Sequence, residues 1–122
     1  MQNIVPKVWG YEIWIENNKL YCGKHLHVLP TKSCSVHYHK NKKETFYVIG
    51  GELRLEYSTD LNLDFWESTV VKPTIVLKKG DSFTLDTLTA HRFTSNTNYP
   101  CDFIEISTHH EDSDSYRIIQ GG

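Results

Sequence analysis

HYHKNKKETFYVIGG, residues 37–51, is the stretch whose reading decides the fold. Thr45 to Ile49 is a run of β-branched and aromatic residues closed by Gly50-Gly51, the composition of a short strand ended by a tight turn. Ahead of it, His37 and His39 stand two residues apart. Residues i and i+2 of a strand project from one face, so both imidazoles address a single point. Glu44 follows across a polar gap long enough to turn into the next strand and bring a carboxylate beside them.

The same rhythm extends in both directions. Short runs bounded by Gly, Pro, Asn or Asp predict strands over Tyr11 to Glu16, Lys19 to Leu29, Ser33 to His39, Thr45 to Ile49 and Glu52 to Ser58. Further strands are predicted over Thr74 to Lys79, Ser82 to Leu85, His91 to Ser95 and Asp102 to Ser107. Gly50-Gly51 and Asn17-Asn18 predict hairpins, hence adjacent antiparallel strands. No window reads as a helix, and Asp60 to Val71 (DLNLDFWESTVV) lacks periodicity and reads as an ordered loop or insertion. Many short strands joined by turns predict an all-β sandwich or small barrel such as a jelly roll.

Alternation orients one strand. Leu20, Cys22, Leu26 and Val28 share a face with Lys24, while Tyr21, Gly23, His25 and His27 occupy the other. A lysine among apolar neighbours either points into a cavity or snorkels from an edge strand.

The chain has 122 residues, 39% hydrophobic and 23% charged, which predicts one globular domain over 1–122. Thirteen Lys plus Arg against fifteen Asp plus Glu are scattered, with a net charge of -2, so neither a basic stripe for nucleic acid nor an acidic tail is present. No apolar run reaches a membrane span, and the start lacks the features of a secretion signal. No nucleic acid, no membrane and a cytoplasmic location are therefore expected. Cys22, Cys34 and Cys101 are odd in number and widely spaced, which predicts reduced structural thiols.

Seven histidines are present, and their order matters more than their number. After His37, His39 and Glu44 comes GDSFTLDTLTAHRFTSN, residues 80–96, where Gly80-Asp81 opens a strand and His91 follows. Imidazoles with one carboxylate make a mixed nitrogen and oxygen site suited to one divalent transition metal: Mn, Fe, Co, Ni or Zn.

Residues 33–51 and 80–96 resemble the two metal motifs of the cupins. The resemblance implies a cupin jelly-roll β-barrel (double-stranded β-helix) and carries over the metal ligands as His37, His39, Glu44 and His91. Most of the chain, from Val5 to Ile118, is similar to the type II mannose-6-phosphate isomerase cupin domain and to small sugar-isomerase cupins. The matching pieces are WGYE at Trp9 to Glu12, KHLHVLP at Lys24 to Pro30, Ser35 to Glu44, HRF at His91 to Phe93, and IEIS followed by DSDSYRI. His109, His110, Glu111, Asp112, Asp114 and Arg117 stand where that family closes with an acidic run and an Arg. The chain departs from the pattern in having His37 for the usual Gln, Lys42 for the usual Arg, and Asp86, Thr87 and Leu88 for a Pro-x-Gly turn.

The resemblance implies a metal-dependent aldose–ketose isomerase acting on a sugar or sugar phosphate through an enediol or enediolate. Glu105, beside Ile104 and Ile106, is the candidate base, with a surface position on an edge strand as the alternative; Lys24 is the candidate for polarising an oxygen. Arg92 and Arg117 are candidates for an anionic group and Tyr38 for the mouth of a sugar pocket. His25, His27, His109 and His110 read as supporting or surface residues. A small iron cupin oxygenase and a non-catalytic metal- or sugar-binding module use the same ligand set and stay open. Trp9, Ile13 and Trp14 in the N-terminal strand, with the frequency of cupin dimers, point to a homodimer.

Overall fold

The computed structural model describes residues 3–122. Among the described residues, eleven strands form two antiparallel sheets. The first sheet has the order β1 (Ile4–Lys7), β2 (Gly10–Asn17), β3 (Cys22–Val28), β10 (Cys101–Ser107), β5 (Glu44–Gly50) and β8 (Ser82–Leu85). The second has the order β11 (Ser115–Ile119), β4 (Val36–His39), β9 (Ala90–Ser95), β6 (Glu52–Ser58) and β7 (Thr74–Lys78). This is the expected jelly-roll architecture.

Period-2 burial builds it. Along β3 the buried residues are Cys22, Lys24, Leu26 and Val28; along β10 they are Cys101, Phe103, Glu105 and Ser107. Between the sheets, Leu26, Val28, Phe46, Val48, Leu53, Leu55, Phe93 and Phe103 form the core, and Trp9 packs edge-on against Phe93 at 5.0 Å. Each such side chain contributes about 1.5–3 kcal/mol on leaving water. The apolar filling gives way to charged inward positions in two neighbouring rows of the first sheet. One row runs Trp14, Lys24, Glu105, Phe46, and the next Cys22, Ser107, Glu44, Leu85. In the second sheet Arg117, His37, His91 and Tyr57 lie in register.

Several expectations are corrected. β5 and β6 do not form a hairpin: β5 pairs with β10 and β8, while β6 pairs with β7 and β9. Gly50-Gly51 is a corner between sheets, with Gly51 at φ 72° and its missing Cβ only 2.5 Å from the Pro100 carbonyl oxygen. A glycine-rich link that permits a hairpin equally permits such a corner. β1 and β11, unread in the sequence, close the sheet edges as short strands.

Within Asp60 to Val71 there is a short helix, α1 (Leu63–Glu67), held by tertiary packing rather than propensity. Its Trp66 donates from Nε1 to the Asp60 carbonyl and packs with Val36 and Ala90. β3 starts at Cys22, leaving Leu20 exposed in the preceding turn. Of the three residues argued to pair two copies, Trp9 is in the core and Trp14 faces inward beside Lys24. Among the described residues no helix is long and apolar enough to cross a membrane.

Candidate functional site

Lys24, Glu105 and Glu44 of the two charged rows and His37 and Arg117 of the histidine row line a cavity of about 530 Å³, together with other residues of β1 to β5, β9 to β11 and their links. His37 and His39 come from β4 and His91 from β9, opposite His37 in register. Their ligand atoms lie within 4.8 Å of one another.

Each imidazole uses Nδ1 on a main-chain carbonyl: His37 on Ser35 (3.0 Å), His39 on Asp114 (3.1 Å) and His91 on Thr89 (3.0 Å). A carbonyl only accepts, so Nδ1 carries the proton and the lone pair sits on Nε2. Nε2 of His39 and of His91 is buried without a hydrogen-bond partner among the described residues. Glu44 Oε2, at the start of β5, lies 3.2 Å from His39 Nε2 and 3.8 Å from His91 Nε2. Lone pairs and a carboxylate converging at this range would be balanced by a cation, and neutral imidazoles with one carboxylate are a donor set for a divalent transition ion. The residues present therefore fit the metal that the sequence reading implies.

Electrostatics favour the ligating forms. Burial, reinforced by His91 and His39, holds His37 well below its ordinary range; burial also lowers His91. Burial alone would raise Glu44, but the Lys42 charge and the imidazoles of His91 and His39 outweigh it and keep the carboxyl low.

Beside this group is a second cluster. Lys42 Nζ donates to Glu105 Oε2 (3.0 Å) and to His110 Nδ1 (3.1 Å), and lies 4.0 Å from Glu44 Oε2. His110 therefore donates from Nε2 to Asp112 (2.9 Å). Burial raises the Glu105 carboxyl, and Glu44 adds to this against the opposing Lys42 and Lys24. Burial, then Lys42 and Lys24, push His110 down to about 4. Lys24 is 2% exposed, with Nζ 3.6 Å from Glu12 Oε1 and 4.3 Å from the Trp14 ring centre.

The expected site residues thus divide. His37, His39, Glu44, Lys24 and Glu105 line the cavity, and Arg117 stands on its lining from the edge strand β11. Glu105 is on a central strand, bonded to β3 on one side and β5 on the other, rather than at an edge. Tyr38 and Arg92 are corrected: alternation turns them to the outer face of the second sheet. Tyr38 stacks on Tyr116 at 5.2 Å, and Arg92 lies in register with Glu56. Cys34 lines the cavity, but burial pushes its thiol up to about 12.

Sequence reasoning missed Lys42, Glu12 and Asp114 as site residues, and placed His110 only among supporting or surface residues; it supports Lys42. Lys42 looked like one cation of a solvated turn, yet it is 3% exposed. The Asp114 carboxylate accepts the amides of Lys40 (2.9 Å), Asn41 (3.2 Å) and Lys42 (3.1 Å), folding that turn inward. The Lys-for-Arg departure and the WGYE match were the signals for Lys42 and Glu12; nothing local marks the contacts of Asp114.

No curated protein matches the sequence. Among solved structures, the capsular polysaccharide assembling protein CapF of Staphylococcus aureus superposes with a TM-score of 0.80 at 12% identity, over 96% of this chain and 34% of that one. The S161A mutant of Bacillus subtilis oxalate decarboxylase OxdC gives 0.71 at 20% identity, over 94% and 29%. KdgF from Halomonas sp. gives 0.71 at 12% identity, over 91% and 89%. This chain thus spans about a third of CapF and of the decarboxylase and most of KdgF. These likenesses show the fold. The cupin domain family matches residues 24–107, which contain His37, His39, Glu44, His91 and Glu105, and on that match the chain belongs to the cupin family.

Proposed function

We propose that this cupin is a metal-dependent aldose–ketose isomerase of a sugar or sugar phosphate. The observation that carries the reading is the position of Glu105, a buried carboxylate one inward row from Glu44 and in the same cavity as the converging imidazoles. His37, His39, His91 and Glu44 would hold one divalent transition ion, which supplies the Lewis acidity that makes a C–H beside a carbonyl more acidic. Glu105 takes that proton and returns it to the neighbouring carbon, while the proton of the adjacent hydroxyl passes to the former carbonyl oxygen, so that an enediol forms and collapses with no net gain or loss of protons. Its Oε2 accepts from Lys42 and from the Ser107 hydroxyl (3.4 Å), so the carboxylate is held while Oε1 has no hydrogen bond among the described residues. Its raised pKa brings it nearer the operating pH, where a base is most effective. Lys24 offers its ammonium to a substrate oxygen, and Arg117 is the cation for an anionic tail. CapF assembles capsular polysaccharide and the Bacillus subtilis decarboxylase has Mn(II) centres; those properties belong to them, and they suit a carbohydrate ligand and a metal here.

The test is proton NMR in D₂O of protein loaded separately with Mn, Fe and Zn, incubated with aldoses, ketoses and their 6-phosphates. Deuterium entering C1 or C2 with interconversion of the sugars, abolished in His39→Ala and reduced at least a hundredfold in Glu105→Gln, is expected. Absence of exchange in protein shown to hold each metal overturns the isomerase. Oxygen consumption by the iron form would put an oxygenase in its place.

A further inference from the structure

Lys24 is an anomaly of hydrogen bonding. Its side chain is 2% exposed, and its ammonium, with three donors, lies on the cavity lining and makes no hydrogen bond to the described residues. The nearest anion, Glu12 Oε1, is 3.6 Å away, although a free lysine and glutamate would close to below 3 Å. The gap has a visible cause. Trp14 donates from Nε1 to that same Glu12 oxygen at 2.9 Å, and the Lys24 ammonium rests over the Trp14 ring, so one side chain holds both partners apart. Both line the cavity that contains the metal group and Glu105.

We infer that Glu12 and Lys24 form a subsite for one hydroxyl of a neutral polyol segment, with Glu12 the specificity-determining residue and Trp14 a positioning residue. Two groups 3.6 Å apart are both within reach of a single oxygen placed about 2.8 Å from each. A hydroxyl there donates to the Glu12 carboxylate and accepts from Lys24. A phosphate or carboxylate oxygen only accepts, so it would satisfy Lys24 but set its lone pairs against Glu12. The inner wall therefore selects hydroxylated carbon, and a charged group on the substrate is left to the Arg117 side. This rests on the sugar reading above and specifies which part of the sugar meets which wall.

The test uses binding, with ligands that have no carbonyl to isomerise. Protein carrying its metal as purified is titrated calorimetrically with D-mannitol and its 1-, 2- and 3-deoxy forms. One deoxy position is expected to weaken binding to the wild type about tenfold or more, the effect of losing a hydrogen bond to charged partners. In Glu12→Gln, with unchanged metal content, D-mannitol binds about tenfold more weakly and that deoxy position costs less than twofold. Binding of all deoxy forms within twofold of D-mannitol, full retention of the preference in Glu12→Gln, or no alditol binding by the wild type would each overturn the subsite. The wild-type series decides alone if Glu12→Gln does not fold. A selective wild type that exchanges no deuterium with aldoses would sink the isomerase and keep the subsite; exchange without selectivity would do the reverse.

Discussion

Lys42 is the side chain on which the charge balance of the cavity turns. Its ammonium stands between two buried carboxylates, 3.0 Å from Glu105 and 4.0 Å from Glu44. Those charges and the hydrogen bond to Glu105 outweigh the desolvation that would otherwise lower its pKa, and the net shift is upward. Removing one partner of a buried ion pair leaves the other charge uncompensated, which costs about 3 kcal/mol or more. Lys42→Met is therefore expected to lose about that much stability at pH 7 in urea denaturation. The loss should shrink at pH 5, where Glu105, already pushed up, takes a proton more easily. An equal loss at both pH values would place the cost in packing instead.

At the scale of elements, the turn between β4 and β5 is organised from the far end of the chain. Asp114, in the short 3-10 turn Asp112–Asp114, gathers the amides of residues 40–42 on its carboxylate and receives His39 Nδ1–H on its main-chain oxygen. One residue thereby sets the tautomer of His39 and the inward course of Lys42. Asp114→Ala leaves those amides with no acceptor, at a cost of about 2 kcal/mol. It should also loosen metal binding by roughly tenfold, the scale of an outer supporting contact. Hydrogen exchange of amides 40–42, with a chelator competition, checks both; unchanged protection there would show that the turn holds itself. α1 plays no such part: its Trp66 covers Val36 and Ala90 on the outer face, so Asp60 to Val71 buttresses β4 from behind.

For the whole molecule, the buried imidazoles cost stability that a bound metal would return. His37, His91 and His110 have folded pKa values below the ordinary 6.5 because burial penalises their charged forms. Between about 6.5 and 4 the unfolded chain binds more protons than the folded one, so stability rises with pH across that window and falls on acidification. Glu44, held below 4.5, extends the loss further down. Glu105 acts oppositely, its contribution being present at low pH and lost as pH rises through its folded value. Against four groups it does not reverse the trend. The thermal midpoint of metal-free protein is expected to be flat from pH 8 to 7 and to drop between 6.5 and 4.5; a midpoint that rises on acidification would contradict these assignments. A metal at a hundred times its dissociation constant should add about 2.7 kcal/mol, hence roughly 10 °C in Tm, reversed by EDTA.

Period 2 and the turn signals were enough to read an all-β sandwich or small barrel from sequence alone. The HxH pair with the order of Glu44, Gly80-Asp81 and His91 carried the resemblance that implied a cupin jelly roll and named His37, His39, Glu44 and His91 as candidate metal ligands. That legibility has a physical reason: residues two apart on a strand must share a face, so local spacing already states spatial convergence. Alternation likewise put Lys24 on the apolar face of its strand, with a cavity-facing and an edge-strand position both open, and the structure turns it into the cavity. The same rule, applied to Tyr38 and Arg92 from their own strands, would have turned them outward, because each neighbours a histidine that faces in. Other features depend on which strands become neighbours, and local spacing carries no record of that. Glu105 is central because β10 lies between β3 and β5. Gly50-Gly51 is a corner because β6 joins the other sheet. Lys42 is buried because Asp114, 72 residues away in the chain, draws its turn inward. Strand order and long-range hydrogen bonds are settled by the packing of the entire chain, and only the tertiary structure decided them.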